Sequence, residues 1–365
     1  MSSIDNLIKN VIRAEVRADT PYNVPDSSGY VKLDAMENPY RLPPELRTEL
    51  GNRLADAVLN RYPVPSYDVL KAGLRRHMGV PAGYDVILGN GSDELISIMA
   101  TAISGGAAGA ARPVIMAPTP GFVMYARSAM FAGARFVGVP LRADMTLDFE
   151  AMLANIAEHK PALVFLAYPN NPTGNLFPRA EVEAIVKALG ETGIAVLDEA
   201  YLPFARSTFM DRLPEFSNLV VMRTVSKLGL AGIRLGYMSA APALLAEFEK
   251  VRPPYNINIL TQLAAEFALD HIDVLNQQAD ALIAAREALA ADLAAIPGVT
   301  VFPSSANFIL IRVPDADKAC ANLLVNKVMV KNVSKMQGLA QCLRVTVSTP
   351  EENAVFLDAF RASLQ

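Results

Sequence analysis

Short apolar runs recur through the middle of this chain, at 86–88, 114–116, 136–139, 163–167, 194–197, 219–222 and 235–238. Helical patterns such as 92–103 and 179–190 separate several of them. Each run is short enough to be a buried strand, and strands alternating with helices build a mostly parallel sheet with both faces covered. Ligands of such sheets bind outside the carboxyl ends of the strands. The polar residues of this chain cluster at those ends.

A length of 365 residues corresponds to about two domains. Residues 46–252 carry the strand–helix alternation and are read as the large domain. After Pro253-Pro254 the character changes. A long Ala-rich helical region over 257–296 leads to strands at 299–302 and 308–313, a helix near 315–326, a strand at 343–347 and a last helix from about 351. This is a smaller α+β domain, read as 253–365 joined by the segment 30–45. Residues 1–29 form an N-terminal arm. In it Ile4, Leu7, Ile8, Val11 and Ile12 make the apolar stripe of a short helix, suited to packing on its own domain or to embracing a second subunit.

Composition narrows the chemistry. The net charge of −4 and the pI of 5.6 lack the basic excess that nucleic-acid binding requires. Asp5, Lys9 and Arg13 interrupt any secretory apolar core, and the uncharged stretch 95–111 is too short and too polar for a membrane span. A cytoplasmic protein is the expectation. Cys320, Cys342, His77, His159 and His271 share no local motif, so neither a zinc site nor a Cys or His nucleophile is expected.

Four segments carry chemistry instead. Gly89-Asn90-Gly91-Ser92-Asp93-Glu94 follows a strand and opens a helix, where free N–H groups bind anions. The glycine spacing fits a single phosphate better than a pyrophosphate; an ordinary turn with Ser92 as helix cap is the alternative. Tyr168-Pro169-Asn170-Asn171-Pro172-Thr173-Gly174 fixes a loop that aims a carboxamide. Asp198-Glu199-Ala200-Tyr201 ends the strand 194–197, and Thr224-Val225-Ser226-Lys227, with Arg234 beyond it, ends the strand 219–222. Taken singly, Asp198 reads as a cap and Lys227 as a surface charge. Together, Asn, Asp, Tyr, Lys and Arg stand at successive strand ends.

This constellation, in this order, resembles the fold-type I pyridoxal-phosphate enzymes, and among them the aminotransferases, over nearly the whole chain. The resemblance implies an α/β fold with a large mostly parallel mixed sheet covered by helices, plus a smaller α+β domain. It implies pyridoxal 5'-phosphate as cofactor, carried covalently by Lys227. Asp198 pairs with the ring nitrogen, and Asn171 and Tyr201 bond the ring's phenolic oxygen. Arg234, Thr224 and Ser226 hold the phosphate with the N–H donors of Gly91 and Ser92 beside Asp93, and Phe122 stacks on the ring.

Glu37-Asn38-Pro39-Tyr40, Arg61-Tyr62-Pro63, Ala306-Asn307-Phe308 and Cys342-Leu343-Arg344-Val345-Thr346-Val347 resemble the histidinol-phosphate aminotransferase branch of that family. That likeness implies conversion of histidinol phosphate and 2-oxoglutarate to imidazole-acetol phosphate and glutamate, in L-histidine biosynthesis. It implies substrate contacts from Arg344, Tyr22, Asn38 and Asn307, and a homodimer in which Tyr62 reaches the partner's cofactor phosphate. Met36 and Ser348 depart from the branch's usual residues. Lys331 stands where arginine is common, either facing the substrate's phosphate or simply solvated. Threonine-phosphate decarboxylases and aromatic amino-acid aminotransferases share the template. A cofactor-binding regulator is the reading from another class.

Overall fold

The computed structural model describes residues 3–106 and 112–364. A short strand, β1 (Val31–Leu33), precedes seven others: β2 (Ile87–Asn90), β3 (Val114–Thr119), β4 (Arg135–Pro140), β5 (Leu163–Ala167), β6 (Ile194–Asp198), β7 (Leu219–Thr224) and β8 (Leu235–Ala240). Four more follow, β9 (Thr300–Val301), β10 (Phe308–Arg312), β11 (Val328–Asn332) and β12 (Cys342–Thr346). The large sheet has the order β2-β8-β7-β6-β5-β3-β4. Its strands β3 to β7 pair in parallel, while β8 runs antiparallel to β7 and β2. The mostly parallel mixed sheet is therefore present, with one reversed strand.

The core explains why these strands are continuous apolar runs. Leu88, Met116, Val164, Leu166, Leu197 and Val221 face one helical layer. Ile87, Ile115, Phe165, Val196, Val220 and Met222 face the other. Successive side chains in a strand point to opposite faces, so a strand covered on both needs apolar residues throughout.

The second sheet, β1-β11-β12-β10-β9, packs Leu33, Val330, Ile309, Leu343 and Val345 against Phe356 and Phe360 of the helix Pro350–Ser363. Its strand β1 pairs in parallel with β11, so three residues from before the large sheet join strands from the far end of the chain. The helical region at 257–296 is two helices, Ile259–Asp270 and Ile272–Ala294, broken at His271. The helix Gly91–Ala102 begins one residue before Ser92, with Asn90 at the cap position, so Ser92 lies inside the first turn. Of the stretch 95–111, residues 107–111 lie outside the described residues. Among the described residues no helix is long and apolar enough to cross a membrane, and no cluster of His, Cys, Asp and Glu could hold a metal ion.

One buried ion pair braces the sheet beneath the polar strand ends. The Arg223 Nε donates to the Glu199 carboxylate at 2.9 Å, and both side chains are almost wholly excluded from solvent. Thr208 and the Phe209 N–H also donate to Glu199. Arg223→Ala leaves that carboxylate buried and without its cation. The expected loss is about 3–5 kcal/mol of unfolding free energy, read from denaturant titration.

Candidate active site

Strand ends β5, β6 and β7 and the start of the helix Gly91–Ala102 enclose a cleft of about 120 Å³. Ser92, Asp93, Phe122, Asn171, Asp198, Tyr201, Thr224, Ser226, Lys227 and Arg234 line it. Ten residues singled out in separate segments of the sequence thus converge on one space.

Lys227 sits in an irregular turn, Ser226–Leu230, kinked at Gly229, just after β7. Gly229 in that turn has φ +128°, and a Cβ there would stand 2.9 Å from the Asn38 amide nitrogen. The Lys227 ammonium donates to the Ala35 carbonyl at 3.1 Å. Burial, with the neighbouring guanidinium of Arg344, pulls its pKa down to about 8.

Asp198 ends β6 and is buried. Its carboxylate accepts the Tyr125 hydroxyl at 2.7 Å and the Ala200 N–H at 3.2 Å. Desolvation outweighs those two donors and pushes its pKa up to about 6. Tyr125 stacks on Phe165 at 4.5 Å and meets Phe122 edge-on at 5.6 Å. The sequence reading gave no role to Tyr125. The available signal was its position three residues after Phe122, which places both at the start of the helix Val123–Phe131.

The helix N-terminus and Arg234 form a narrow cup. Gly91 has φ +74°, and a Cβ on it would lie 2.5 Å from the Arg234 guanidinium. A Cβ on Gly236 would lie 2.6 Å from the Gly91 carbonyl carbon. Gly236 therefore excludes any side chain, and the positive φ of Gly91 strains one. The hydroxyls of Ser92, Thr224 and Ser226 complete the cup, with Thr224 donating to the Leu235 carbonyl at 3.0 Å and accepting the Ser226 N–H at 3.1 Å. Arg234 Nη2 lies 3.3 Å from Asp93. Helix N–H groups, hydroxyls and one guanidinium are a donor set for a phosphate. Gly236→Ala is expected to destabilise the fold by about 1–3 kcal/mol and to open the cup. Thermal unfolding and equilibrium binding of pyridoxal phosphate check the two effects.

The remaining candidates lie around this cleft. Arg344 is buried, donating to Asn171 Oδ1 and to the Asp34 carbonyl, each at 2.7 Å. Its Nε has no partner, nor has the Oδ1 of Asn307, whose amide donates to the Met36 carbonyl at 3.1 Å. Met36 lines the cleft with φ +53°, and the Tyr201 hydroxyl points at its sulfur at 3.6 Å. Lys331 is directly opposite Arg344 across β11 and β12, which puts both side chains on one face. Asn38 is not in the lining; its amide is taken up by Leu228, Gln278 and Tyr40 behind Gly229. Tyr22 is exposed, with its hydroxyl within electrostatic reach of Arg344. Tyr62 is 81% exposed and stacks on Tyr255 outside its own chain's cleft.

A cleft that joins a half-buried, easily neutralised lysine, a buried carboxylate and a phosphate cup defines a class of protein, and the sequence places the chain within it. The chain belongs to the aminotransferase class I and II family, whose profile matches residues 28–360. More particularly, it is similar to histidinol-phosphate aminotransferase 1 of Ralstonia nicotianae, 61% identical over all of this chain and 97% of the relative. It is also similar to histidinol-phosphate aminotransferase 2 of Cupriavidus pinatubonensis, 62% identical over the whole of both. Among solved structures, the Sinorhizobium meliloti histidinol-phosphate aminotransferase in complex with pyridoxal-5'-phosphate matches with TM-score 0.85 at 24% identity. That match covers 97% of this chain and 98% of the other. The L-threonine-O-3-phosphate decarboxylase of Porphyromonas gingivalis matches with TM-score 0.75 at 22% identity, over 91% and 99%. At such identities the likeness is one of fold, which leaves transamination and decarboxylation to be separated by chemistry.

Proposed function

We propose that this chain is a pyridoxal-phosphate-dependent histidinol-phosphate aminotransferase, passing the amino group to 2-oxoglutarate in L-histidine biosynthesis. The observation that carries the reading is the convergence of Lys227, Asp198 and the Gly91–Arg234 cup on one cleft. The substrate assignment rests on relatives above 60% identity along the whole chain. The expected location is the cytoplasm.

The residues present fit the cofactor. Gly91, Ser92, Thr224, Ser226 and Arg234 would hold its phosphate, Asp198 its ring nitrogen, Asn171 and Tyr201 its phenolic oxygen, and Phe122 one ring face, with Lys227 as the covalent anchor. When bound, pyridoxal phosphate supplies a conjugated pyridinium that delocalises the electron pair left by breaking the substrate's Cα–H bond. Asp198, as an anion, keeps the ring nitrogen protonated. Lys227, as a neutral amine, would take the Cα proton and return it to the carbon at the other end of the C–N–C unit, two bonds away. Arg344 grips an anionic group of the substrate with its planar fork, and Lys331 adds charge on the same face. Tyr22 covers the substrate side.

A homodimer with a shared active site belongs to the same reading. Tyr62 is exposed and is not in the lining of its own cleft. The apolar stripe of the helix Ser3–Val11 has no buried residue, with Leu7 at 56% and Val11 at 68% exposure. Both features support a second copy as the surface they meet.

Because Lys227 must be neutral to capture the cofactor, and its pKa is depressed to about 8, capture by the cofactor-free protein is pH-dependent. The rate is expected to rise about tenfold per pH unit below 8 and to level above it. Stopped-flow absorbance reads this directly, and a flat profile across pH 6–9 contradicts it. Histidinol phosphate alone should convert bound cofactor to its amine form. Release of carbon dioxide from threonine phosphate would instead make the chain a decarboxylase.

A further inference from the structure

One helix serves two structures at once. The helix Val123–Phe131 turns Tyr125 inward to Asp198, with Phe122 in the cleft lining just before its first residue. Its opposite face carries Val123, Arg127 and Phe131, four residues apart, with Val123 and Phe131 exposed.

The N-terminal arm is fastened to that outer face by two arginines pointing in opposite directions. Arg127 Nη2 donates to the Asp19 carboxylate at 2.6 Å and to the Thr20 carbonyl at 3.1 Å. Its guanidinium also lies 5.7 Å over the Phe131 ring. From the arm, Arg13 Nη2 donates to the Phe131 carbonyl at 2.8 Å, in the last turn of the same helix, where a cation is favoured. Both partners of the Arg127–Asp19 pair are about three quarters buried, so the pair is held more firmly than an ordinary surface bridge. Pro21 stands between Thr20 and Tyr22. Its fixed φ removes one of the backbone rotations between Thr20 and Tyr22.

We propose that Arg127 is a positioning residue that clamps Asp19 and Thr20 to the helix bearing Phe122 and Tyr125, and thereby sets Tyr22 over the substrate side of the cleft. The clamp makes no contact with the reacting groups. It acts on substrate affinity through the arm, and it rests on the proposed reading only for the identity of the substrate.

Its test separates binding from chemistry. In Arg127→Ala, and independently in Asp19→Asn, KM for histidinol phosphate should rise about tenfold or more, the weight of a charge-assisted hydrogen bond. The kcat should stay within about twofold and the colour of bound cofactor should be unchanged. Arg127→Lys keeps the charge and one donor and should recover most of the lost affinity. Trypsin should cut after Arg13 or Arg17 about tenfold faster in Arg127→Ala than in wild type, with or without pyridoxal phosphate. An unchanged KM overturns the proposal. So does a fall in kcat with loss of cofactor colour, since Arg127 would then merely support the helix. Should wild type leave histidinol phosphate untouched, the substrate reading fails, and the tryptic rate decides the clamp: an unchanged rate overturns it.

Discussion

Lys227→Ala is expected to lower kcat for histidinol phosphate by about 10⁴-fold or more while leaving the fold intact. Two proposed roles would vanish together: the covalent anchor for the cofactor and the base for the Cα proton. No other amine among the cleft-lining residues can take them over, since Lys227 is the only lysine in that lining. The Ala35 carbonyl loses its 3.1 Å donor but lies beside the cleft, where water replaces it. Circular dichroism should therefore be unchanged, and the yellow colour of wild type incubated with pyridoxal phosphate should be absent. A variant retaining more than about a hundredth of the activity would remove Lys227 from the mechanism.

The second large effect is at Asp198. Asp198→Asn keeps the shape but removes the anion that holds the ring nitrogen protonated, and a fall of about 10²–10³-fold in kcat is expected, with a much smaller change in KM. The same carboxylate ties stability to pH. Its pKa in the folded, cofactor-free chain is raised to about 6, above the ordinary 3.8. The stability it contributes is present below pH 4 and is lost as pH rises through 6, by about 3 kcal/mol. Wild type should thus lose unfolding free energy over pH 4–6 relative to Asp198→Asn, whose amide does not titrate. Pyridoxal phosphate, by giving the carboxylate a cationic partner, should restore it. Equal slopes for the two proteins in denaturant titrations across that range would refute the burial argument.

Much of the large sheet was legible because its strands are buried on both faces. Runs such as 163–167 and 219–222 have no polar alternation to blur them, and the structure places the strands Leu163–Ala167 and Leu219–Thr224 there. The residues at their ends were legible for a related reason. A buried run that stops at Asp198 or Thr224 stops where solvent and ligand begin. Strand β1 was not legible. Val31–Leu33 is three residues long and is a strand only because β11, about 300 residues later, supplies its hydrogen bonds. The role of Tyr125 was not legible, because its bond to Asp198 spans 73 positions and no local spacing announces it. The packing of Asn38 was not legible either: its amide is bonded to Leu228 and Gln278 behind Gly229, contacts that span about 190 and 240 positions.

What the sequence determined by itself was the alternation that compels a covered parallel sheet and the inventory of one lysine, one aspartate, amides, hydroxyls and arginines set at strand ends. These follow from local rules, since burial sets residue type and strand ends meet solvent whatever the rest of the chain does. The tertiary structure alone decided how those groups act on one another. The pKa of Lys227 near 8 and that of Asp198 near 6 come from desolvation in a cleft assembled by distant segments. The closeness of Gly91, Gly236 and Arg234, and the grip of Arg127 on Asp19, depend likewise on packing between elements far apart in sequence. Electrostatic strength and steric fit depend on distance and on the exclusion of water, and neither is written in the order of the residues.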